Sequence, residues 1–478
     1  MRNYLFSVLS ALITGPLGGL TTPVVPRWDD MHVKHEWDAV PTKWDSLGPP
    51  PVGTTIDLSI ALKPDNENAL IDALNNVSNP GHPRRAPFSH PVICMYHSPV
   101  PLLRCSYGAH LTKDQVSELD APHQDTLELV NSWLEHHGVL SSLSTTQGGS
   151  WLKLVGVPVS KANDLLDASF QLYQYTDTND TILRTISYSL PEVLHAHVQT
   201  ITPTTFFGLP RTLWQTPRVR GGGIAAAPKN AKSEDLARVR SSNDGSSDGD
   251  NSGSDHDHSG SDGDHDGSGS DGDYDEDDVA PSYVRWLYHL TGYVPKAVDK
   301  NMLGIVGYNG DYPNQEDLKE FMIEFRTDGE KATYEPLQIN GGKYDTVDPG
   351  IESTVDIQYS AAIAYPTRTI FYSVGGNWDD ALHSWLLYMA DEEDVPQTIV
   401  TTYGIDEVKV PMDYAAKICR MFAQLGSRGV SILYSSGDDG VGEGDCMVKD
   451  SRGNDHYQFL PLFPATCTCG VSFSPLTV

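Results

Sequence analysis

The sequence is poor in cysteine and in basic residues, and after its first twenty residues it has no long apolar run. Six cysteines among 478 residues are too few and too scattered for a disulfide-rich scaffold. Because Asp and Glu outnumber Lys and Arg by 64 to 33, nucleic acid is not expected as a partner. The lack of apolar runs argues against a membrane span. The length predicts two or more domains.

The N-terminus has the pattern of a secretory signal peptide. Arg2 precedes an apolar run, Tyr4–Ile13, which Gly15 and Pro16 then break. This run is too short for a membrane span and typical of a cleaved leader. We therefore expect residues 1–20 to be removed and the protein to be secreted to the extracellular space. Secretion makes Asn76 and Asn179, each the first residue of a glycosylation sequon, candidate glycan sites, although many sequons stay unused.

Residues 210–281 are predicted to be an acidic, disordered linker. Fourteen Asp and Glu residues and no Lys or Arg lie in Ser241–Ala280, a composition that cannot bury enough surface to fold. A calcium loop is one alternative, but Asp271-x-Asp273-x-Asp275 lacks the Gly and Glu that such a loop needs. Diffuse attraction of counterions is the simpler interpretation. A polyanionic ion-binding or cell-surface protein built on this tract is a further alternative.

The two flanking regions have different periodicities. Residues 21–209 mix alternating strands with amphipathic helices, which predicts an α+β domain. From residue 282 onward, strands and helices alternate, which predicts a parallel sheet covered on both faces. The expected strands of this second region are Leu303–Tyr308, Thr369–Val374, Thr398–Thr402 and Val430–Tyr434.

The most informative stretch is Pro349–Tyr359, which carries Glu352 and Asp356. If the stretch is helical, the two carboxylates leave one face of the helix one turn apart. A buried acid pair shares a proton, which raises one apparent pKa and lowers the other. Such a pair can act as a general base in acid. The alternative is an ordinary solvated helix face.

A second stretch, Gly429–Gly442, contains a buried-type strand that runs into a turn bearing Asp438. In open α/β sheets, sites form in the loops after the carboxyl ends of the strands. Asp438, flanked by glycines, is therefore a second candidate site residue. A plain Gly/Asp turn is the alternative interpretation.

Together, Glu352-x-x-x-Asp356 and Ser436-Gly437-Asp438-x-Gly440 resemble the sedolisin family of serine-carboxyl peptidases, which includes fungal tripeptidyl-peptidases. The resemblance implies a subtilisin-like α/β fold and hydrolysis of polypeptide substrates. It makes Glu352 the general base for a serine, Asp356 its orienting partner and Asp438 a group that holds the oxyanion. By the same resemblance, Thr402-Tyr403-Gly404 forms an edge of the substrate-binding cleft. The sequence leaves release of N-terminal tripeptides and internal cleavage both open.

The N-terminal half resembles the activation propeptide of the same family, on Trp37–Pro41, Tyr107–Leu111 and Trp151–Val157. We therefore expect residues 21–209 to be the enzyme's own propeptide, with a cleavage site in or near the linker. Residues 85–106 interrupt the resemblance and are rich in Pro and Cys. Our hypothesis is that they are an insertion translated from an unspliced intron.

The resemblance breaks at the C-terminal end. After Phe463–Cys467 the family pattern continues into a nucleophilic Ser within Gly-Thr-Ser, followed by a calcium site, but this sequence contains no Gly-Thr-Ser. Ser150, Ser472 and Ser474 lie in unrelated contexts. Residues 282–478 are thus predicted to be a partial, C-terminally truncated peptidase domain that lacks the calcium site and is inactive. A non-catalytic, propeptide-like inhibitor or folding aid of a related peptidase is the alternative.

Two cysteines also take part in the resemblance. Cys446 and Cys467 resemble a disulfide pair of the family, while free thiols are an equal alternative.

Overall fold

The structure is a computed structural model that describes residues 27–78, 107–145, 150–208, 211–212, 279–308, 310–344, 349–437, 446–449, 454–468 and 471–473. The predicted signal peptide, the predicted insertion 85–106, most of the predicted linker and Asp438 lie outside the described residues.

The N-terminal unit, residues 27–208, combines antiparallel sheets with helices, as its mixed periodicity predicts. Its central sheet has the order β4 (Leu143–Thr145), β5 (Trp151–Pro158), β3 (Thr55–Leu62) and β9 (Val198–Thr202). In β3 the residues Ile56, Leu58 and Ile60 are buried at alternate positions, so one face of the strand points into the core. The strands are β1 (Met31–Glu36), β2 (Trp44–Gly48), β3 (Thr55–Leu62), β4 (Leu143–Thr145), β5 (Trp151–Pro158), β6 (Gln171–Tyr175), β7 (Thr181–Arg184), β8 (Ser187–Pro191) and β9 (Val198–Thr202), and the helices are α1 (Ala69–Ser78), α2 (Lys113–Leu119), α3 (Gln124–His136) and α4 (Val159–Leu166).

The C-terminal unit is built on a six-stranded sheet with the order β12-β13-β11-β14-β16-β20, in which every neighbouring pair is parallel. This confirms the parallel sheet expected from the alternation of strands and helices. The elements are α5 (Pro281–Leu287), β11 (Met302–Gly307), α6 (Gln315–Phe325), β12 (Tyr334–Ile339), α7 (Ile351–Ala364), β13 (Arg368–Val374), α8 (Trp378–Asp391), β14 (Thr398–Thr401), β15 (Tyr403–Asp406), α9 (Met412–Ser427), β16 (Ser431–Ser435), β17 (Met447–Lys449), β18 (Asp455–Tyr457), β19 (Leu462–Phe463) and β20 (Val471–Phe473).

Helices cover both faces of this sheet. Ile305 of β11 packs with α6 and α7, whereas its neighbour Val306 packs with α8 and α9. Side chains of a strand alternate between faces, so a strand buried on both sides becomes continuously apolar. The burial of β11 and β13 on both faces explains why their sequences show no polar alternation.

The two units share one buried cluster. Trp151 and Phe206 of the N-terminal unit lie in the same core as Trp385 and Tyr414 of the C-terminal unit. The rings of Phe206 and Tyr414 are 5.0 Å apart, and the Trp151 ring lies 4.0 Å from that of His383 on α8. The N-terminal unit is therefore docked through apolar side chains.

A buried charge cluster lies beside this apolar contact. Asp120 of the N-terminal unit is 2% exposed and accepts from three donors on α9. Lys417 Nζ and Gln424 Nε2 lie 3.3 and 2.7 Å from Asp120 Oδ2, and Arg420 Nε donates to Oδ1. Since Lys417 is wholly buried, Asp120 supplies the anion that offsets its charge.

Among the described residues, none of the helices is both long and apolar enough to cross a membrane.

Candidate active site

Helix α7 carries the predicted acid pair. It begins at Ile351 after Gly350, and it buries Ile357 and Ala361 against the sheet. This packing fixes the helix rotation and turns Glu352 inward, where it is 7% exposed. The sequence prediction of a helix here is confirmed, and the solvated-face alternative does not describe Glu352.

Asp356 lies one turn further along α7, next to Thr402. The Thr402 hydroxyl donates to Asp356 Oδ2 over 3.0 Å. Burial raises the pKa of Asp356 well above its ordinary value, the charge of Glu352 raises it further, and the Thr402 hydrogen bond opposes both. Two carboxyl groups with this coupling favour one shared proton over two negative charges.

The segment predicted to edge the substrate cleft, Thr402–Gly404, hydrogen-bonds to two acidic side chains. Thr402 lies between β14 and β15, and Tyr403 begins β15. The Tyr403 side chain is 0% exposed, and its hydroxyl donates to Asp311 Oδ2 over 3.0 Å. Tyr403 thus supports the site from the core.

A short strand occupies the edge of this segment. Strand β10 (Arg211–Thr212) pairs antiparallel with β15, with Arg211 opposite Gly404 and Thr212 opposite Tyr403. Residues just beyond the N-terminal unit therefore hydrogen-bond, like an added strand, to the segment predicted to line the cleft.

Strand β16 brings the second motif to the same end of the sheet. Thr401 of β14 is opposite Tyr434 of β16 in a parallel pair, so Thr402 and Ser436 follow adjacent strands at their carboxyl ends. Gly437 adopts a φ of 91°, which favours glycine at this turn. Asp438, the predicted oxyanion residue, comes next and lies outside the described residues.

The predicted disulfide is wrong. Cys467 bonds to Cys419 and not to Cys446, with a Cα–Cα distance of 5.2 Å. That distance is typical of a disulfide. Cys419 lies on α9, and the turn after β19 brings Cys467 against this helix, a proximity that sequence spacing does not reveal.

The remaining candidates are dispersed. Asn76 lies in the last turn of α1, and Asn179 is exposed in a turn. Ser150 is buried, and Ser472 lies within β20. Among the described residues, no group of His, Cys, Asp and Glu is arranged to hold a metal ion.

Sequence reasoning missed Asp311, which contacts both Tyr403 and helix α7. Its backbone N–H donates to Tyr308 O, just after β11 ends. A signal was present, because Asp311 follows a predicted strand of a parallel sheet, where sites commonly form.

Known proteins are similar to this chain over most of its length. Residues 104–207 match the family described as Pro-kumamolisin, activation domain. The chain is 26% identical over 459 residues to tripeptidyl-peptidase SED2 of Arthroderma otae, covering 92% of this chain and 66% of the relative. Tripeptidyl-peptidase SED4 of the same organism is 26% identical over 462 residues, covering 92% of this chain and 64% of the relative. The chain thus spans slightly less than two thirds of their length.

Among solved structures, a complex of Pseudomonas sedolisin, a serine-carboxyl proteinase, with two molecules of pseudo-iodotyrostatin matches 40% of this chain and 52% of that one. The identity is 17% and the TM-score 0.30, which is too low to carry an argument about the fold. The sequence relatives and the activation-domain match confirm the resemblance: residues 104–207 match the pro-kumamolisin activation domain, and about nine tenths of the chain is homologous to the SED tripeptidyl-peptidases of Arthroderma otae.

Proposed function

We propose that the chain is part of the precursor of a secreted serine-type peptidase that releases tripeptides from the N-termini of polypeptides at acidic pH. In this proposal residues 21–209 are the propeptide, residues 210–281 the linker and residues 282–478 part of a subtilisin-like peptidase domain. The signal peptide, glycosylation at Asn76 and Asn179, and calcium binding by an intact enzyme belong to the same proposal.

The observation that carries it is the pair of Glu352 and Asp356 one helical turn apart, with Glu352 buried and Asp356 accepting from Thr402. A histidine base would be protonated in acid, whereas a carboxylate there remains able to accept a proton. In this scheme Glu352 takes the proton of a serine hydroxyl as it attacks the scissile carbonyl. Asp356 orients Glu352, and Asp438 donates to the oxyanion while it is protonated.

The pairing of Arg211–Thr212 with Gly404 and Tyr403 supports the zymogen part of the proposal. While β10 occupies that edge, an extended substrate has no free backbone groups of β15 with which to pair. Cleavage in or near the linker would free the edge.

We propose that residues 1–478 lack the nucleophile, since Gly-Thr-Ser does not occur in them. A base without a nucleophile cannot perform acyl transfer, so we propose that this polypeptide alone does not hydrolyse peptides. Purified residues 1–478 should release no tripeptide from an N-terminally unblocked substrate at acidic pH. Turnover that Glu352→Gln abolishes would contradict the inactivity and identify a different serine.

The activity itself is tested on a longer product. We expect the genomic sequence after the codon for Val478 to encode Gly-Thr-Ser in a usable frame. A protein extended through that frame should release tripeptides at acidic pH, and Glu352→Gln should remove this activity while leaving the fold unchanged. Lack of such a frame, or activity independent of Glu352, would count against the peptidase assignment.

A second function, inhibition or folding assistance in trans, is favoured by the docking of the N-terminal unit through Trp151 and Asp120. Residues 21–208 added to an active sedolisin-type tripeptidyl-peptidase should then slow hydrolysis, and the Asp120→Asn variant should do so less. A lack of inhibition by folded residues 21–208 would reject this alternative.

A further inference from the structure

A third carboxylate, Asp311, lies between the acid-bearing helix and β15. Its Oδ2 atom accepts from the Tyr403 hydroxyl at 3.0 Å and from the Ser353 backbone N–H at 3.4 Å. Its Oδ1 atom is buried and has no hydrogen-bond partner among the described residues. Asp311 is therefore held from one side only, with its other oxygen enclosed.

Gly350 makes room for this carboxylate. A Cβ atom at Gly350 would lie 1.1 Å from Asp311 Oδ1, so no other residue fits there without displacing Asp311. Gly350 occupies the N-cap position of α7, and no side chain of its own caps the helix. Asp311 supplies the missing acceptor from a different part of the chain, where a negative charge also suits the helix dipole.

Asp311 contacts the chain neighbours of both acid-site residues: Ser353, which follows Glu352, and Tyr403, which follows the Thr402 that donates to Asp356. Besides burial and Glu352, the charge of Asp311 raises the pKa of Asp356. The pKa of Asp311 is itself raised by burial, against hydrogen bonds from Tyr403 and Ser353. Three carboxyl groups in one buried site cannot all be ionised cheaply, so their proton affinities depend on one another.

We propose that Asp311 is a positioning residue of the acid site, which fixes Tyr403 and the first turn of α7 and whose negative charge keeps the shared proton on Asp356. Glu352 is then the ionised member of the pair and the one able to accept a proton. The inference rests on the proposed function only in naming Glu352 as the base.

The test measures proton coupling in residues 1–478 and needs no peptidase activity. Urea unfolding of wild type, Asp311→Asn, Asp356→Asn and the double variant is followed between about pH 4 and pH 8. Acids with a raised folded pKa bind protons more tightly in the native state, so they make the protein more stable as pH falls. Each single variant should lose part of this increase in stability at low pH.

The decisive quantity is the non-additivity of the two substitutions. If Asp311 keeps the proton on Asp356, the double variant should lose less of the gain than the sum of the two single losses. Strictly additive pH profiles would overturn the proposal, since carboxyl groups that are not coupled contribute independently to the pH dependence of stability. Asp299→Asn, at an exposed position, is the matched control and should leave the profile unchanged.

A milder variant guards against poor folding. Tyr403→Phe keeps the Asp311 carboxyl group but removes a hydrogen bond that lowers its pKa, so the stability gained at low pH should persist and begin at a higher pH. A flattened profile would contradict the assigned role of the Asp311 carboxyl group. Because unfolding is measured, a negative result here leaves the proposed peptidase function standing, and an inactive extended enzyme leaves this proposal standing.

Discussion

The protein buries two clusters of charge, and they are balanced in opposite ways. Around Asp120 one carboxylate accepts from Lys417, Arg420 and Gln424, so the buried charges are of opposite sign. Around Asp356 the charged neighbours are the carboxyl groups of Glu352 and Asp311. Opposite charges fix one element against another, whereas like charges in a buried site must share protons. The first cluster joins the N-terminal unit to α9, and the second couples the proton affinities of its carboxyl groups.

The largest expected effect comes from breaking the balanced cluster. Asp120→Ala leaves Lys417 buried without its anion, which should reduce the free energy of unfolding by about 3–5 kcal/mol. Urea unfolding measures this loss. Asp45→Ala, at an exposed position, is the control and should change little. Equal stability of the two variants would show that Asp120 does not offset the buried charge.

Helix α9, which carries Lys417 and Arg420, is linked to the turn after β19 by the Cys419–Cys467 disulfide. The bond closes a separation of 48 residues, so Cys419→Ser should cost about 4 kcal/mol through greater entropy of the unfolded chain. Cys446→Ser should cost much less. Mass mapping of disulfide-linked peptides before and after reduction checks the pairing, and a Cys446–Cys467 peptide would refute it.

Burial of His383 on α8 should make the free energy of unfolding depend on pH. Burial, and then the charges of Lys153 and Lys417, lower the pKa of His383 from 6.5 to about 3. The unfolded chain therefore binds the proton first, and stability should fall as pH drops from about 6.5 towards 3, by up to about 1.4 kcal/mol for each pH unit. His383→Phe should flatten this dependence, and an unchanged slope would mean that His383 is not buried as a neutral ring.

The acid site should respond in the opposite direction. Because the pKa of Asp356 is raised, Asp356→Asn should stabilise the protein at neutral pH, by about 1 kcal/mol. The advantage should shrink as pH falls, since wild-type Asp356 then takes up its proton. Urea unfolding at two pH values measures the difference. A variant that is destabilised at neutral pH would argue against a strained acid pair.

The smallest effect concerns neither cluster and serves as a baseline. Gly108 N–H donates to Val77 O over 2.9 Å, so the chain on the two sides of residues 79–106 meets directly. Deleting Arg85–Ser106 should therefore keep the fold and stabilise it by about 1 kcal/mol through the shorter closed loop. Thermal unfolding checks this, and loss of folding would show that these residues are a structural part of the domain. Sequencing the transcript tests the intron hypothesis separately.

Local patterns predicted much of this architecture. The strand periodicity placed β11, β13, β14 and β16 within a few residues, because a doubly covered sheet requires continuous apolar segments. The four-residue spacing placed Glu352 and Asp356 on one helical turn, since that spacing is a property of the helix itself.

Contacts between distant segments were not predictable in the same way. Strand β12 was missed because Tyr334–Ile339 has no regular alternation: Glu335, Pro336 and Gln338 interrupt its apolar residues. Asp311 and Cys419 were missed as partners because each meets its partner only after separate elements pack together. Neither residue lies in a local sequence pattern that predicts its partner.

The sequence by itself determined the alternation of strands and helices, the acid pair and the acidic linker composition, because each depends on residues close together in the chain. Only the tertiary structure decided that Asp311 accepts from Tyr403, that Cys419 bonds to Cys467, and that Arg211–Thr212 pairs with Tyr403 and Gly404. These contacts depend on how the sheets and helices pack, and packing brings together residues whose separation along the chain carries no signal.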